Sequence, residues 1–489
     1  MTSAVARHRT ALSRIELSRP VALALQHGLL DGASVFDFGC GRGDDVRRLT
    51  RLGVPCYGWD PVHRPHVKQS PADVVNLGYV VNVIEDPVER VTTLRRAWEL
   101  AQKVLIVSGR LIWDARDLRA RPLSDGVLTA AGTFQKFYTQ EELRAWIADV
   151  LEVQPIAAAP GVFYVFRDLG AAQTFLSQRV SSRAALTRSW VSDALFERHQ
   201  ELLQPLVTFL SERARLPRPG ELPEAEAIRA EVGSLARAFA LIAHNTGLER
   251  WEELRGARRL DLLVYIALSR FDRRPRFSEL PETLQHDVRE FLGNYRDACV
   301  KADQLLFAAG NPDALEVSVH ASLVGKLLPT SLYVHRDAIG SLPALLRVYE
   351  GCARALAGEV EGTTLIKLSW EQPQVSYLAY PDFDRDPHPV LTASVVVNLR
   401  RLSIDLRDFS ASTNPPILHR KEEFLAAEDP RRIRYQKLTA AEVRAGLYEQ
   451  PSQIGTREGW RETLAVHSVQ LRGHRLLRMP QGSLRTLSG

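Results

Sequence analysis

The run Val35-Phe36-Asp37-Phe38-Gly39-Cys40-Gly41-Arg42-Gly43-Asp44-Asp45 restricts the fold of this chain more than any other segment. An apolar stretch carries an acid, three glycines follow at alternate positions, and a helical pattern comes next. A Rossmann-like first strand turns into its helix around a nucleotide cofactor in this way. Glycine lets the backbone approach a ligand closely and take positive φ at little cost. An ordinary strand-to-helix turn has the same grammar, so the following strands must decide. The order of acid and glycines suits a cationic cofactor. Dinucleotide folds set two glycines, a two-residue gap and a third glycine against a pyrophosphate at a helix N-terminus. S-adenosyl-L-methionine (SAM) has no phosphate, and its ammonium and sulfonium favour a carboxylate such as Asp37 beside the loop.

The next segments continue the pattern. Val54-Pro55-Cys56-Tyr57-Gly58-Trp59-Asp60 is a short strand ending in an acid, where nucleotide folds bind ribose hydroxyls. Ala72 to Tyr79 reads as a buried strand ending in polar and small residues. Val80 to Pro87 leads into a helix bearing Arg90, Leu94, Ala97 and Trp98, and Lys103 to Ser108 is a further buried strand. Strands alternating with helices give an open parallel α/β sheet.

On these residues, positions 33–108 resemble a class I SAM-dependent methyltransferase. Much of the chain is also similar to the DNA phosphorothioation-associated methyltransferase family of bacteria. That similarity rests on His8 to Arg14, on Gly58-Trp59-Asp60-Pro61-Val62-His63-Arg64 and on Asn76-Leu77-Gly78-Tyr79. It continues in Tyr380 to Asp384, Asp386-Pro387-His388-Pro389 and Asn414 to Glu422. The resemblance implies SAM as cofactor. Asp37, Gly39, Gly41 and Gly43 would sit at its methionine end and Asp60 at its ribose, with Asn76 also in the cofactor site. It implies a DNA-modification setting. One departure concerns the adenine. Only twelve residues separate Asp60 from Asp73, among them Pro61, Pro65 and Pro71. The family's usual third strand, whose acid contacts adenine, is shortened or absent, which leaves His63 or Trp59 to stack on the ring.

Asn76-Leu77-Gly78-Tyr79 occupies the place where amino-methylating DNA and RNA enzymes carry Asn or Asp, two prolines, and Tyr or Phe. There the amide accepts from an exocyclic amine while the aromatic ring stacks on a flipped base. By that resemblance Asn76 and Tyr79 are the catalytic pair. Both prolines are missing here, so the other reading stays open: Asn76 ends a strand and Tyr79 packs under the next helix.

At 489 residues with 45% hydrophobic content, the chain has room for two or three domains. The expected plan is a basic N-terminal arm and helix over 1–30, a SAM-binding domain over 31–168, a helical domain over 169–330 and a smaller α+β domain over 331–489. No apolar run is long enough for a membrane span. The four cysteines, Cys40, Cys56, Cys299 and Cys352, form no CxxC pair, so neither a zinc site nor a disulfide frame is expected, and a reducing cytoplasm is the default compartment. Cys40 reads as a small spacer in the loop.

The net charge of +5 is mild for this length. Arginines cluster at Arg7, Arg9, Arg14 and Arg19. A second group, Arg270, Arg273, Arg274 and Arg276, lies beside Phe271 and Phe277, and a third excess runs to Arg472, His474, Arg475 and Arg478. Such clusters hold DNA or RNA phosphates and stack on bases, or are solvated faces. Asp382, Asp384 and Asp386 alternate before His388, but Pro387 replaces the glycine of a calcium loop. No metal is expected, although His388 or His419 would be its ligands. His419-Arg420-Lys421-Glu422 reads as a phosphate-facing loop. Three functions compete: a methyltransferase of DNA or another nucleic-acid or nucleotide target, a small-molecule methyltransferase, and a non-catalytic SAM- or DNA-binding component of a modification system.

Overall fold

The structure is a computed structural model that describes residues 14–116, 118–180 and 194–479, with Val5 and Thr10. Arg7, Arg9 and most of the His8 to Arg14 motif lie outside the described residues. Chain contacts divide the molecule into two compact units. One holds the described parts of Met1–Asp168, Val324–Ala338 and Cys352–Gly489; the other holds those of Leu169–Leu323 and Ile339–Gly351. Three domains with a boundary at 330 are therefore not what the contacts give. The late strands group with the first sheet, and residues 339–351 group with the helices.

The first unit opens with helix α1 (Arg19–Gln26), where Pro20 sits in the first turn. Proline is suited to that place because the first N–H groups of a helix have no partner to lose. Strands β1 (Val35–Phe38), β2 (Cys56–Trp59), β3 (Ala72–Gly78) and β4 (Ala101–Ser108) follow, separated by helices α2 (Asp44–Arg51) and α3 (Pro87–Leu100). A small antiparallel meander comes next, with β5 (Ala120–Leu123), β6 (Gly126–Thr129) and β7 (Phe134–Gln135). Helix α4 (Gln140–Leu151) and strands β8 (Ile156–Ala159) and β9 (Val162–Phe166) complete the segment.

The main sheet has the order β2-β1-β3-β4-β9-β8. Its first four strands are parallel; β9 runs antiparallel to β4, and β8 antiparallel to β9. Strand order reverses between β1 and β3, which opens a crevice at the carboxyl ends of these strands, the usual ligand position in such sheets. β2 is an edge strand, and positions 61–71 make turns and one bridge, from Asp60 to Arg64. The shortened segment read from the prolines is thus short of a whole strand.

Caps fix the helix starts. Asp86 accepts from Val88 N at 2.9 Å ahead of Pro87. Thr139 and Glu142 form a reciprocal capping box, with Glu142 N donating to Thr139 Oγ1 at 3.0 Å. The core between sheet and helices buries Phe36, Val75, Leu77, Leu94, Leu105, Val107 and Phe163, among others.

The second sheet of this unit is an antiparallel meander in chain order: β10 (Lys326–Leu328), β11 (Ser331–His335), β12 (Leu365–Ser369), β13 (Gln374–Ala379), β14 (Ala393–Asn398) and β15 (Ser403–Asp408). Leu402 takes φ +53 in the turn between β14 and β15. Strands β16 (Val469–Leu471) and β17 (Leu476–Arg478) form a hairpin. The sheets meet at specific contacts. Glu359 N donates to Ala158 O at 2.7 Å, and a Cβ on Gly358 would lie 2.4 Å from Ala159 N. Gln140 Nε2 donates to Leu356 O at 3.1 Å.

The second unit is helical, with helices such as Ala194–Arg213, Ala225–Val232, Leu235–Thr246 and Leu248–Leu268. Gly233, at φ +95, separates Ala225–Val232 from Leu235–Thr246.

Candidate functional site

The glycine loop wraps the end of β2. Gly39 N and Cys40 N both donate to Trp59 O, at 2.8 and 3.0 Å. Gly39, Gly41 and Gly43 take φ values of +82, +50 and +76. At Gly39 a Cβ would lie 2.5 Å from Val80 Cγ2, so any other residue forces a shift. Cys40 is the spacer it was read as. Burial and the nearby Asp37 push its thiol up to about 12, so it stays protonated and unreactive.

Asp60 locks this loop to the turn after β2. Its Oδ2 accepts from Gly41 N at 3.1 Å, and its Oδ1 accepts from Val62 N at 2.9 Å and His63 N at 2.8 Å. The carboxylate thus fixes the mouth of a cavity of about 390 Å³ whose lining includes Gly39, Gly41, Asp60, Tyr79 and Arg14. Trp59 and His63, the two rings read as adenine-stacking candidates, also line it. The volume falls within the range of small-molecule and cofactor sites, about 300–1,000 Å³.

Asp37, Asn76 and Gly43 lie behind the cavity and do not line it. Asp37 and Asn76 are register partners on the parallel strands β1 and β3, and both side chains are buried. Asn76 Nδ2 donates to Asp37 Oδ1 at 2.8 Å. Burial, then the neighbouring Asp45, pushes the Asp37 carboxyl up to about 7; the Asn76 hydrogen bond and Arg14 act the other way. The Nδ2 of Asn76 is spent on Asp37, while its Oδ1, the acceptor read for an exocyclic amine, is buried without a hydrogen-bond partner. Gly43 ends the loop as the N-cap of α2, where a Cβ would lie 3.1 Å from the Arg64 guanidinium.

Tyr79 does line the cavity. It takes φ +59, an uncommon conformation for a bulky residue. Its N–H is shared between Ser108 O and Ser108 Oγ, both at 3.1 Å. Ser108, at the end of β4, holds the turn that two prolines would otherwise stiffen. Burial pushes the pKa of the Tyr79 phenol up. Arg19, Arg14 and Arg110 oppose that rise, while Asp114 adds to it.

Acids at the start of α2 hold the N-terminal segment over this site. Arg14 N donates to Asp44 Oδ2 and Ser18 N to Asp45 Oδ1, each at 2.8 Å. Arg48 returns hydrogen bonds to Arg14 O at 2.7 Å and Ile15 O at 3.0 Å. The Arg14 guanidinium then lies 5.9 Å from the centre of the Tyr79 ring. Sequence reading placed Arg14 only in a basic arm. Its signal was the pair Asp44-Asp45 at a helix start, thirty residues away.

The C-terminal motifs come together as a buried polar cluster. His388 Nε2 faces Glu442 Oε1 at 2.7 Å and its Nδ1 faces Leu418 O at 3.2 Å. Both ring nitrogens of His388 thus face oxygen atoms. Tyr448 Oη donates to the other Glu442 oxygen at 2.7 Å. Among the described residues no group of three or more His, Cys, Asp or Glu side chains could hold a metal ion. His419-Arg420-Lys421 is not a phosphate-facing loop. His419 bonds Ile454 O at 2.7 Å, Arg420 stacks on Tyr448 at 4.6 Å, and Lys421 is buried. Lys421 Nζ donates to Phe383 O and Asp386 O, both at 2.6 Å, and meets His474 Nε2 at 2.9 Å. In the helical unit Arg274 is likewise spent internally, on Asp303 at 2.6 Å.

No family model and no curated protein matches the chain. About a third of the chain overlaps solved methyltransferases. The CcbJ methyltransferase of Streptomyces caelestis overlaps at 15% identity and TM-score 0.24, covering 30% of this chain and 88% of that one. The 1,6-didemethyltoxoflavin-N1-methyltransferase of Burkholderia thailandensis, with S-adenosylhomocysteine (SAH) bound, overlaps at 16% identity and TM-score 0.23, over 33% and 79%. Magnesium protoporphyrin IX methyltransferase from Synechocystis PCC 6803, also with SAH, gives 12% identity and TM-score 0.22, over 33% and 93%. The Rossmann-like assignment of the first sheet rests on its own strand order and register, not on these overlaps.

Proposed function

We propose that the chain is a SAM-dependent methyltransferase whose acceptor is DNA or another nucleic-acid or nucleotide target in a bacterial modification setting. One observation carries this reading: the cavity at the strand-order reversal, bounded by the glycine loop and by Asp60. Its features suit SAM. Asp60 and Glu89 supply negative charge to a cationic ligand, and Trp59 and His63 supply rings for adenine. Gly39 keeps the loop low against Val80, where any side chain would stand in the way. Bound there, SAM would supply an electrophilic methyl group. The protein's task is then to hold an acceptor in line with it at about 3–3.5 Å, a task for which Tyr79 is placed.

Calorimetry with SAH tests the cofactor, with binding at micromolar concentration expected. Radiolabelled SAM offered with plain DNA, phosphorothioate DNA and tRNA tests the acceptor. Label in a nucleic acid supports the reading. SAH binding without label in any of them would favour a small-molecule acceptor, and no SAH binding at millimolar concentration would remove the enzyme.

A further inference from the structure

A second cavity, of about 330 Å³, lies wholly in the helical unit, among helices Leu169–Val180, Ala194–Arg213, Leu248–Leu268 and Glu282–Phe291. It shares no residue with the cavity at the glycine loop. Its volume is at the small end of the range for ligand sites, about 300–1,000 Å³. Among the described residues five charged side chains line it: Glu212, Arg213, Arg258, Asp261 and Asp287.

Two long ion pairs sit in its wall. Arg213 meets Asp287 Oδ2 at 3.4 Å and Arg258 meets Asp261 Oδ2 at 3.3 Å, against about 2.7–2.9 Å for a well-made charge-assisted contact. Each aspartate is held more tightly by an arginine outside the lining. Asp287 Oδ1 accepts from Arg215 Nε at 2.5 Å, and Asp261 Oδ1 from Arg347 Nη2 at 2.6 Å. The outer arginines fix the acids, so Arg213 and Arg258 are the loosely engaged partners. The Arg258 side chain makes one hydrogen bond with a described residue, the long one to Asp261, which leaves most of its N–H donors for a ligand.

Acid is in excess on the side of Ala194–Arg213 and Glu282–Phe291. The exposed Glu212 side chain makes no hydrogen bond or ion pair with a described residue. Burial pushes the Asp287 carboxyl up in spite of Arg215 and Arg213. A purely anionic guest would meet three carboxylates in this cavity, and a purely cationic one two guanidinium groups. A guest with separated charges of both signs avoids both penalties. Leu262, Leu284 and Phe291 give the same cavity apolar surface, and the hydroxyl of Tyr265 is already spent on Gln173 Oε1 at 2.7 Å.

We infer that this cavity binds a zwitterion of amino-acid size with an apolar side chain. Its carboxylate takes the spare donors of Arg258, its ammonium goes to Glu212 and Asp287, and its side chain lies on Leu262, Leu284 and Phe291. The site is separate from the methyltransferase reading and stands whether or not the first unit binds SAM.

Calorimetry on the full chain tests it, with L-leucine and L-phenylalanine as probes. The amide of each lacks the carboxylate, and the deaminated acid of each lacks the ammonium. At least one amino acid should bind at millimolar concentration or below, with its amide and its deaminated acid roughly tenfold or more weaker. Arg258→Gln should cut the affinity by roughly fivefold or more, with Asp261 still held by Arg347. Glu212→Gln should narrow the preference for the amino acid over its deaminated acid by roughly threefold or more. Thermal melts of both variants separate lost folding from lost recognition, and if Arg258→Gln melts early, the exposed Glu212→Gln decides alone. Three results would overturn the site: neither amino acid binding at millimolar concentration, amides or deaminated acids binding as tightly, or affinity and preference unchanged in the folded variants.

Discussion

Asn76 donates its Nδ2 hydrogen to Asp37 Oδ1 at 2.8 Å across the register of two parallel strands, and its own Oδ1 is left without a donor. Burial pushes the Asp37 carboxyl up to about 7, and the Asn76 hydrogen bond opposes that rise.

The pair has a pH signature. Asp37 holds its proton to about pH 7 in the folded chain, against 3.8 for the ordinary group. The folded state therefore binds more protons between these values, and unfolding free energy falls as pH rises through that window. Asp37→Asn should flatten this slope and raise stability at pH 8 by roughly 1–3 kcal/mol, part of the full shift. Asn76→Ala should instead cost roughly 1–3 kcal/mol by stripping a buried carboxylate of its donor. Urea melts at pH 5.5 and 8 measure both, and an unchanged slope in Asp37→Asn would refute the upward shift of the Asp37 carboxyl.

Gly39→Ala tests the loop. The new Cβ would meet Val80 Cγ2 at 2.5 Å on a residue at φ +82. A loss of roughly 1–3 kcal/mol is expected, with SAH affinity down at least tenfold by calorimetry. Near-normal affinity would mean that the loop does not touch the ligand.

At Tyr79 the ring and the backbone can be separated. Tyr79→Ala keeps a side chain at φ +59 and Tyr79→Gly does not, so the glycine variant should be the more stable by roughly 1 kcal/mol. Both should lose methyl transfer and keep SAH affinity within threefold. Transfer that survives in either would remove Tyr79 from the acceptor site.

In the C-terminal cluster, Glu442→Leu leaves the buried His388 and Tyr448 without their shared partner. It should cost roughly 3–5 kcal/mol. The double variant with His388→Leu should cost less than the sum of the two single changes, which chemical denaturation of all three variants would show.

Much of the first sheet was legible in the sequence, because its signals are local. Glycines, a capping threonine at Thr139 and proline at Pro87 act on their neighbours, and the short gap after Asp60 announced a missing strand. The site was only half legible. Gly39, Gly41, Asp60 and Tyr79 reach the cavity, but whether Asp37 and Asn76 faced it depended on strand register, which places them against each other. Arg14 depended on a contact with Asp44, far along the chain. The union of late strands with the first sheet has no local marker beyond Gly358, whose need for φ +74 becomes apparent only beside Ala158 and Ala159.

That close approach bears on how the protein is handled and assembled. β8 is the outermost strand of the parallel sheet, and the backbone N–H of Glu359 occupies one of its outward carbonyls while Gly358 presses flat against it. A bare strand rim recruits other chains into intermolecular pairing, and covering it is one of the ways proteins stay apart. Residues 1–168 expressed alone would expose this rim and self-associate, so the later strands act as a built-in guard against aggregation whatever else they do.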